Sequence, residues 1–278
     1  MRLDCKAVAQ KIKDDVRKEI AELGITPTLA VILVGNDSAS QVYVRNKNKV
    51  CAEVGIHSFT VELPESSSQE DVEKIVMDLN EKDSIHGILV QLPLPKHLDS
   101  DKVIQLIDPR KDVDGLTLHN QALLAAGKIE DAIIPCTPKG VLTLIDTMGF
   151  ELEGAHVTIL GRSELFGKPM ARLCLHRNAT VSVCHSRTNG LTKYRLLKSS
   201  DVVIAAIGKP KEVKLSPCYD TALVIDVGIN RTENGLVGDI DLDTIPYECD
   251  YTPVPGGVGL LTTASLLQNI VICYKKLH

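Results

Sequence analysis

The chain has 278 residues, 44% of them hydrophobic and 24% charged, with a formal net charge of −5. At roughly 100–200 residues per domain, that length predicts one large or two modest domains with ample core. The negative charge and the lack of any long basic block exclude a nucleic acid or an anionic membrane held by bulk electrostatics as an expected partner.

Residues 1–6 carry no apolar stretch, so no secretory signal is expected. Asp4 is the expected N-cap of a helix over 4–24, in which Val8, Ile12, Val16, Ile20 and Leu23 recur every three or four residues and Gly24 is the stop. The continuous apolar run 29–35 predicts a strand buried on both faces. Runs of this kind fall far short of a membrane helix, so no membrane span is expected. A second helix begins near Ser38 or Ser40 and ends before Gly55, and 58–63 alternates as a strand. Ser68-Gln-Glu-Asp71 is a capping-box pattern ahead of Val72, Ile75, Val76 and Leu79, and 87–93 is the third strand. Strands and helices alternating at this spacing predict a parallel sheet.

The pattern restarts later, with buried-strand candidates at 157–161, 180–184, 202–208 and 222–226, and a helix within 161–177 after a glycine-containing turn. The stretch 108–138, with Asp, Gly and Pro at both ends, is the expected junction, and a last helix over 260–277 packs back on the first domain. The fold class is therefore α/β, with two domains that each hold a largely parallel sheet flanked by helices. The expected division is 1–120 completed by 260–278, and 121–259. The eight scattered cysteines, with no C-x-x-C pair, read as reduced, mostly buried thiols of a cytoplasmic protein. Neither H-E-x-x-H nor paired Cys/His spacing occurs, and no metal is expected.

A strand that ends at Gly161 and turns into a helix is where an open α/β sheet binds a dinucleotide, because helix N-terminal amides point at the pyrophosphate. The spacing Gly161-Arg-Ser-Glu-Leu-Phe-Gly167 is neither G-x-G-x-x-G nor a P-loop, and Lys168 is followed by Pro169 rather than a hydroxyl, which excludes the ATPase reading. A bare strand–helix turn also accounts for this segment. The next strand end, Cys184-His-Ser-Arg-Thr188, has no acid for a ribose 2′-hydroxyl. With Arg162 on the first turn and a serine hydroxyl nearby, it suits a 2′-phosphate, so a bound dinucleotide is expected to be NADP. Arg187 is equally well a solvated charge, and His185 a loop histidine.

In the first block, Tyr43 and Lys47 lie one helical turn apart on one face, where a lysine beside apolar or aromatic surface can shuttle protons. A solvated helix face accounts for the pair as well. Gln91 is a polar side chain at the end of an apolar strand, where an unsatisfied amide costs about 1–3 kcal/mol; either a catalytic partner or nearby backbone meets that need. Asp112 and Asp114, in Asp112-Val-Asp-Gly115, are candidates for gripping an aminopyrimidine edge, with turn chemistry as the alternative. Pro255, Gly256 and Gly257 lie in a stretch whose backbone a ligand can approach closely, or which simply leads tightly into the last helix.

Several stretches now run in order through the chain: Ser40-Gln-Val-Tyr-Val-Arg-Asn-Lys47, Gly87-Ile-Leu-Val-Gln-Leu-Pro-Leu-Pro95, Lys111-Asp-Val-Asp-Gly115, Pro135-Cys-Thr-Pro138, Gly161-Arg-Ser163 with Gly167-Lys-Pro169, Asp226-Val-Gly-Ile-Asn230 and Thr252-Pro-Val-Pro-Gly-Gly-Val-Gly259. In these the chain resembles the bifunctional methylenetetrahydrofolate dehydrogenase/methenyltetrahydrofolate cyclohydrolase family, of the FolD type, in its short two-domain form. The resemblance implies a folate-binding catalytic domain followed by a Rossmann-like NADP-binding domain, and one interdomain cleft. There methylenetetrahydrofolate gives hydride to NADP, and water opens the methenyl cation to 10-formyltetrahydrofolate. It implies Lys47 as the proton shuttle of the hydrolysis, Gln91 as its tuning partner, Tyr43 stacked on the folate and Asp114 on the pterin, with Pro255, Gly256 and Gly257 at the substrate. It implies Gly161, Arg162, Ser163, Ser186 and Ile229 at the cofactor, and a homodimer with no nucleic-acid or membrane partner.

The chain departs from the family pattern where Gly259 is followed by Leu260-Leu-Thr262 rather than Pro-Met-Thr, which predicts an altered folate-pocket wall. Two alternatives to the bifunctional enzyme are a cyclohydrolase with weak or absent dehydrogenase activity and a non-catalytic nucleotide sensor.

Overall fold

The computed structural model describes residues 1–217, 219–233 and 235–278. They form two compact units, one of 11–136 with 263–278 and one of 1–10 with 137–262.

The first unit is built on a three-stranded parallel sheet. Helix α1 (Cys5–Leu23), whose residues from 11 on belong to this unit, starts on Asp4, whose Oδ1 accepts the Ala7 N–H at 3.0 Å. It is followed by β1 (Thr28–Val34), α2 (Ser38–Val54), β2 (His57–Leu63), α3 (Gln69–Asn80) and β3 (Gly87–Val90), in the spatial order β2-β1-β3. The capping box at Ser68 and Asp71 closes in both directions. Ile32, Val72, Val76, Ile88 and Val103 form the core between the sheet, α3 and the short α4 (Ser100–Gln105). Beyond β3, the Ile88 N–H donates to the Lys111 carbonyl at 2.8 Å and Ile88 bridges Asp112 in parallel, so 111–112 runs beside β3 as one more short sheet neighbour. Lys111, almost wholly buried, donates to the carbonyls of Asn80 (2.6 Å) and Lys82 (2.9 Å), placing a cation on the carbonyl end of α3.

The second unit holds a five-stranded parallel sheet, β10-β7-β6-β4-β5. Its elements are α6 (Cys136–Thr147), β4 (His156–Leu160), α7 (Gly167–His176), β5 (Thr180–Cys184), α8 (Gly190–Lys198), β6 (Val202–Ala205), β7 (Leu223–Asp226), the antiparallel hairpin β8 (Asn230–Thr232) and β9 (Gly235–Val237), and β10 (Asp250–Tyr251). The strand order reverses at β4, whose two neighbours are β5 and β6, and a switch point of this kind opens a crevice at the strands' carboxyl ends. Val157, Ile159, Met170, Ile204 and Ile225 pack one face of this sheet.

Residues 1–3 pair alongside β10, with Leu3 N–H donating to Tyr251 O at 2.8 Å and Tyr251 N–H to Met1 O at 2.9 Å, which accounts for 1–10 joining the second unit. The division expected at 120/121 falls inside α5 (Leu118–Ala125), whereas the units divide at 136/137. Asn120 fastens this stretch to the first unit, its Nδ2 donating to Pro109 O and its Oδ1 accepting the Ile133 N–H, each at 3.0 Å.

The helix expected within 161–177 after a glycine-containing turn is α7, which begins at Gly167 once 161–166 has turned. Two expectations need correction. The strand over 180–184 is not buried: β5 is the sheet's last strand, so one edge faces outward and Val183 is exposed. The last helix, α9 (Val258–Leu277), is long and apolar enough to cross a membrane by length and composition, with a hydropathy of 1.2. Its Thr, Ser, Gln and Asn interrupt each continuous run but leave the helix apolar on average, and 56% of its most apolar stretch is buried inside the protein, as a core helix requires. Seven of the described cysteines are buried and form no disulfide, and Cys218 lies outside the described residues. Burial pushes the thiols of Cys51 and Cys174 up to about 12, which keeps them protonated and unreactive.

Candidate active site

Asp37 starts α2 by accepting the Ser40 N–H at 2.7 Å, and Gly55, at φ 89°, stops it in a left-handed conformation. Tyr43 and Lys47 therefore share one face of a well-defined helix. Tyr43 presents about half its surface to solvent, and Lys47 is partly buried. Gln91 follows β3 directly and is 8% exposed; its backbone N–H donates to Ile32 O at 2.9 Å. Its side chain is satisfied at both ends: Lys47 Nζ donates to Oε1 at 3.0 Å, and Nε2 donates to Leu92 O at 2.7 Å. Lys47 and the backbone thus each take one end of the Gln91 amide.

Asp112 and Asp114 separate clearly. Asp112 is buried and spends Oδ2 on the Thr117 N–H (2.8 Å) and Asn120 Nδ2 (3.0 Å), which is turn chemistry. Asp114 has a weaker neighbour, the Cys136 thiol, 3.5 Å from Oδ1. Burial raises the Asp114 pKa; the Lys47 charge opposes that rise, and Asp112 adds to it. Gly115 permits the sharp turn after it at φ 66°, and a Cβ there would stand 2.3 Å from the Ile133 carbonyl. Asn269 of α9 holds both flanks of this turn, donating to Val113 O and Ile134 O at 2.8 Å each. Cys136 and Asn269 were not among the expected site residues. Only the Pro135-Cys-Thr-Pro138 stretch pointed towards the first of them.

In the second unit a cavity of about 330 Å³ opens at the switch point, lined by the ends of β4, β5 and β6. Gly161, Arg162, Ser163 and Ser186 all line it, joined by His185 and by Lys193, Lys209 and Lys214, which were not expected. Two glycines make room: a Cβ on Gly161 would meet Ala206 O at 2.2 Å, and one on Gly167 would meet Gly161 O at 2.3 Å. The first turn of α7 has no side-chain cap, since Phe166 stands at its N-cap, and Ser163 Oγ accepts the Phe166 N–H at 3.2 Å. Arg187 is exposed and is not among the residues lining the cavity; its N–H donates to His185 Nδ1 at 3.1 Å. Glycines that admit a backbone-close ligand, a helix N-terminus and a basic lining together fit a dinucleotide bearing an extra phosphate.

Ile229 is 49% exposed and packs near the start of α9, where a Cβ on Gly259 would lie 3.2 Å from its Cδ1. Pro255 and Gly256 are exposed, whereas Gly257 is buried, and a Cβ on it would meet Pro253 O at 2.1 Å. Of the two leucines that follow Gly259, Leu261 is fully buried against Gly140 and only Leu260, 40% exposed, offers a surface. Among the described residues no cluster of His, Cys, Asp and Glu is placed to hold a metal.

Family models for the tetrahydrofolate dehydrogenase/cyclohydrolase catalytic domain and NAD(P)-binding domain match residues 3–114 and 135–278. A bifunctional protein FolD from Campylobacter concisus is 49% identical over 275 residues, covering 97% of this chain and 96% of that protein. The crystal structure of the bifunctional FolD enzyme from Campylobacter jejuni superposes with a TM-score of 0.93 at 41% identity, covering 99% of each chain. A Trypanosoma brucei FolD structure, complexed with NADP cofactor and inhibitor, gives 0.90 at 36% identity, covering 99% of this chain and 97% of that one. With both family models matched in order and relatives this similar along the whole length, the chain belongs to the tetrahydrofolate dehydrogenase/cyclohydrolase family.

Proposed function

We propose that the protein catalyses the NADP-dependent oxidation of 5,10-methylenetetrahydrofolate to 5,10-methenyltetrahydrofolate, followed by its hydrolysis to 10-formyltetrahydrofolate. The observation that carries the reading is the bond from Lys47 Nζ to the buried Gln91 Oε1, on an α2 face that also presents Tyr43, with Lys47 close enough to act on the Asp114 carboxyl.

Gln91 holds the lysine nitrogen in place, and Lys47 takes a proton from the water that adds to the methenyl carbon. Opening of the ring then returns a proton to the departing nitrogen, so that the cation plus water gives the formyl product and one released proton. Tyr43 offers an exposed aromatic face for stacking on the folate. Asp114 accepts hydrogen bonds from the pterin edge, for which its single weak thiol contact leaves it available. Pro255, Gly256 and Gly257 contact the substrate. Gly161, Ser163 and Ile229 contact the cofactor, and Arg162 and Ser186 face its 2′-phosphate. When bound, NADP supplies the two-electron acceptor for the methylene carbon. A homodimer in the cytoplasm is part of the same proposal, supported by family membership and by seven buried cysteines that form no disulfide among the described residues.

Purified protein is mixed with methylenetetrahydrofolate and either NADP or NAD, with reduced nicotinamide and the methenyl species followed separately. Reduction with NADP and little methenyl build-up is the expected result. No reduction with either nucleotide, alongside hydrolysis of supplied methenyltetrahydrofolate, would leave a cyclohydrolase alone.

A further inference from the structure

We propose that Asp239 is a positioning residue for the nucleotide cavity, setting its affinity for NADP without touching the ligand. This rests on the reading of that cavity as the NADP site. Asp239 has no exposed surface and does not line the cavity. Its carboxylate gathers four N–H donors: Oδ2 accepts from the backbone of Ile207 (2.6 Å) and Gly208 (2.9 Å), and Oδ1 from the backbone of Lys209 (2.9 Å) and Asn230 Nδ2 (2.8 Å). Three successive amides turned onto one carboxylate fix the conformation of the loop after β6. That loop is a cavity wall, for Ala206, Ile207, Lys209, Glu212, Val213 and Lys214 all line it. Further along, Asp239 O accepts the Val213 N–H at 2.9 Å, so both ends of the wall hang on one residue.

Asp239 is in turn fixed from the sheet. Asp226, the last residue of β7, accepts the Asp239 N–H on Oδ1 at 2.9 Å and the Ile240 N–H on Oδ2 at 2.8 Å. The packing leaves no slack: a Cβ on Gly228 would stand 2.2 Å from Asp239 Oδ1, and one on Gly238 would stand 1.9 Å from Asp226 Oδ2. A rigid sheet thus dictates, through two buried carboxylates, where the Lys209 and Ile207 backbone stands. Preorganisation of this kind lowers the ordering penalty of binding.

The test is calorimetric titration of NADP into the full chain, beside nucleotide-free hydrolysis of methenyltetrahydrofolate. Asp239→Asn puts an amide NH2 where an oxygen accepted N–H groups, and it is expected to weaken NADP binding by about tenfold or more while hydrolysis stays within about twofold of wild type. If that variant does not fold, Asn230→Ala removes a single donor without touching the backbone, and a rise of about threefold in the NADP dissociation constant is expected. Unchanged NADP affinity in the folded variants, or hydrolysis falling in step with NADP binding, overturns the positioning role. Arg162→Ala separates the two readings. If it weakens NADP binding while Asp239→Asn does not, only the positioning role falls; if wild type binds no NADP, or Arg162→Ala has no effect, the assignment of the cavity falls with it.

Discussion

Lys47 and Gln91 are joined by a 3.0 Å hydrogen bond in which Nζ donates to an amide oxygen that is otherwise shut away from solvent. The other end of that amide is fixed to the Leu92 carbonyl, so Gln91 cannot turn its NH2 towards the lysine without breaking a 2.7 Å bond. The relationship makes Lys47 the most sharply placed candidate in the first unit. Lys47→Met keeps the side chain as far as its fourth heavy atom and removes the terminal nitrogen. Hydrolysis of methenyltetrahydrofolate, followed by loss of the methenyl absorbance, is expected to fall by about a hundredfold or more, with folate affinity largely retained. Ordinary hydrolysis in that variant would remove Lys47 from the mechanism.

Much of this site was legible because its signals are local. Gly55 and the Tyr43/Lys47 spacing specify a helix face, and an isolated polar residue after an apolar strand marks Gln91. Helix α6 was not read from the sequence, since Pro138 and Gly140 argue against a helix. Pro138 sits in its first turn, where no N–H is lost, and Gly140 is what lets Leu261 approach, a contact made far along the chain. Asp239 was illegible for the same reason. Its partners Ile207 and Gly208 lie 32 and 31 residues away, and nothing in the periodicity joins two loops at that distance. The exposure of β5 depends on which strand ends the sheet, a matter of topology that a run of Val and Thr does not disclose.

Asp114 makes a prediction with a sign. Its pKa is raised by burial, so the carboxylate that would grip the pterin is lost to protonation at a higher pH than for an ordinary aspartate. Folate affinity of the wild type should therefore fall on acidification before unperturbed carboxyls titrate. Asp114→Asn should bind folate about ten- to a hundredfold more weakly and lose that pH dependence. Fluorescence or calorimetric titrations from neutral pH downwards would decide it, and equal affinity in the variant would return Asp114 to turn chemistry.

Cofactor choice is expected to follow Arg162 and Ser186, which line the cavity beside the acid-free end of β5. Arg162→Ala should raise the KM for NADP roughly tenfold and leave that for NAD nearly unchanged, because only NADP carries the phosphate. Ser186→Asp should oppose the phosphate directly and improve the relative use of NAD. Steady-state reduction rates with both nucleotides give the ratio, and equal losses for NADP and NAD would place the phosphate elsewhere.

Asp226 predicts a pH dependence of stability. Burial pushes its pKa up from 3.8 to about 6; the backbone N–H groups of Asp239, Ile240 and Gly228 resist that rise, and the Asp239 charge adds to it. Between those values the folded chain binds more protons than the unfolded one, so stability from this group falls as pH rises, and the loss is complete above about 6. The shift corresponds to about 3 kcal/mol. Asp226→Asn cannot titrate. It gives up an acceptor and is expected to be less stable overall, yet its stability should fall less between pH 4.5 and 7.5 than that of the wild type. Because every other carboxyl is common to the two proteins, the difference between their denaturation profiles isolates Asp226. Parallel profiles would mean that Asp226 titrates normally, and that the three amides around it compensate its burial in full.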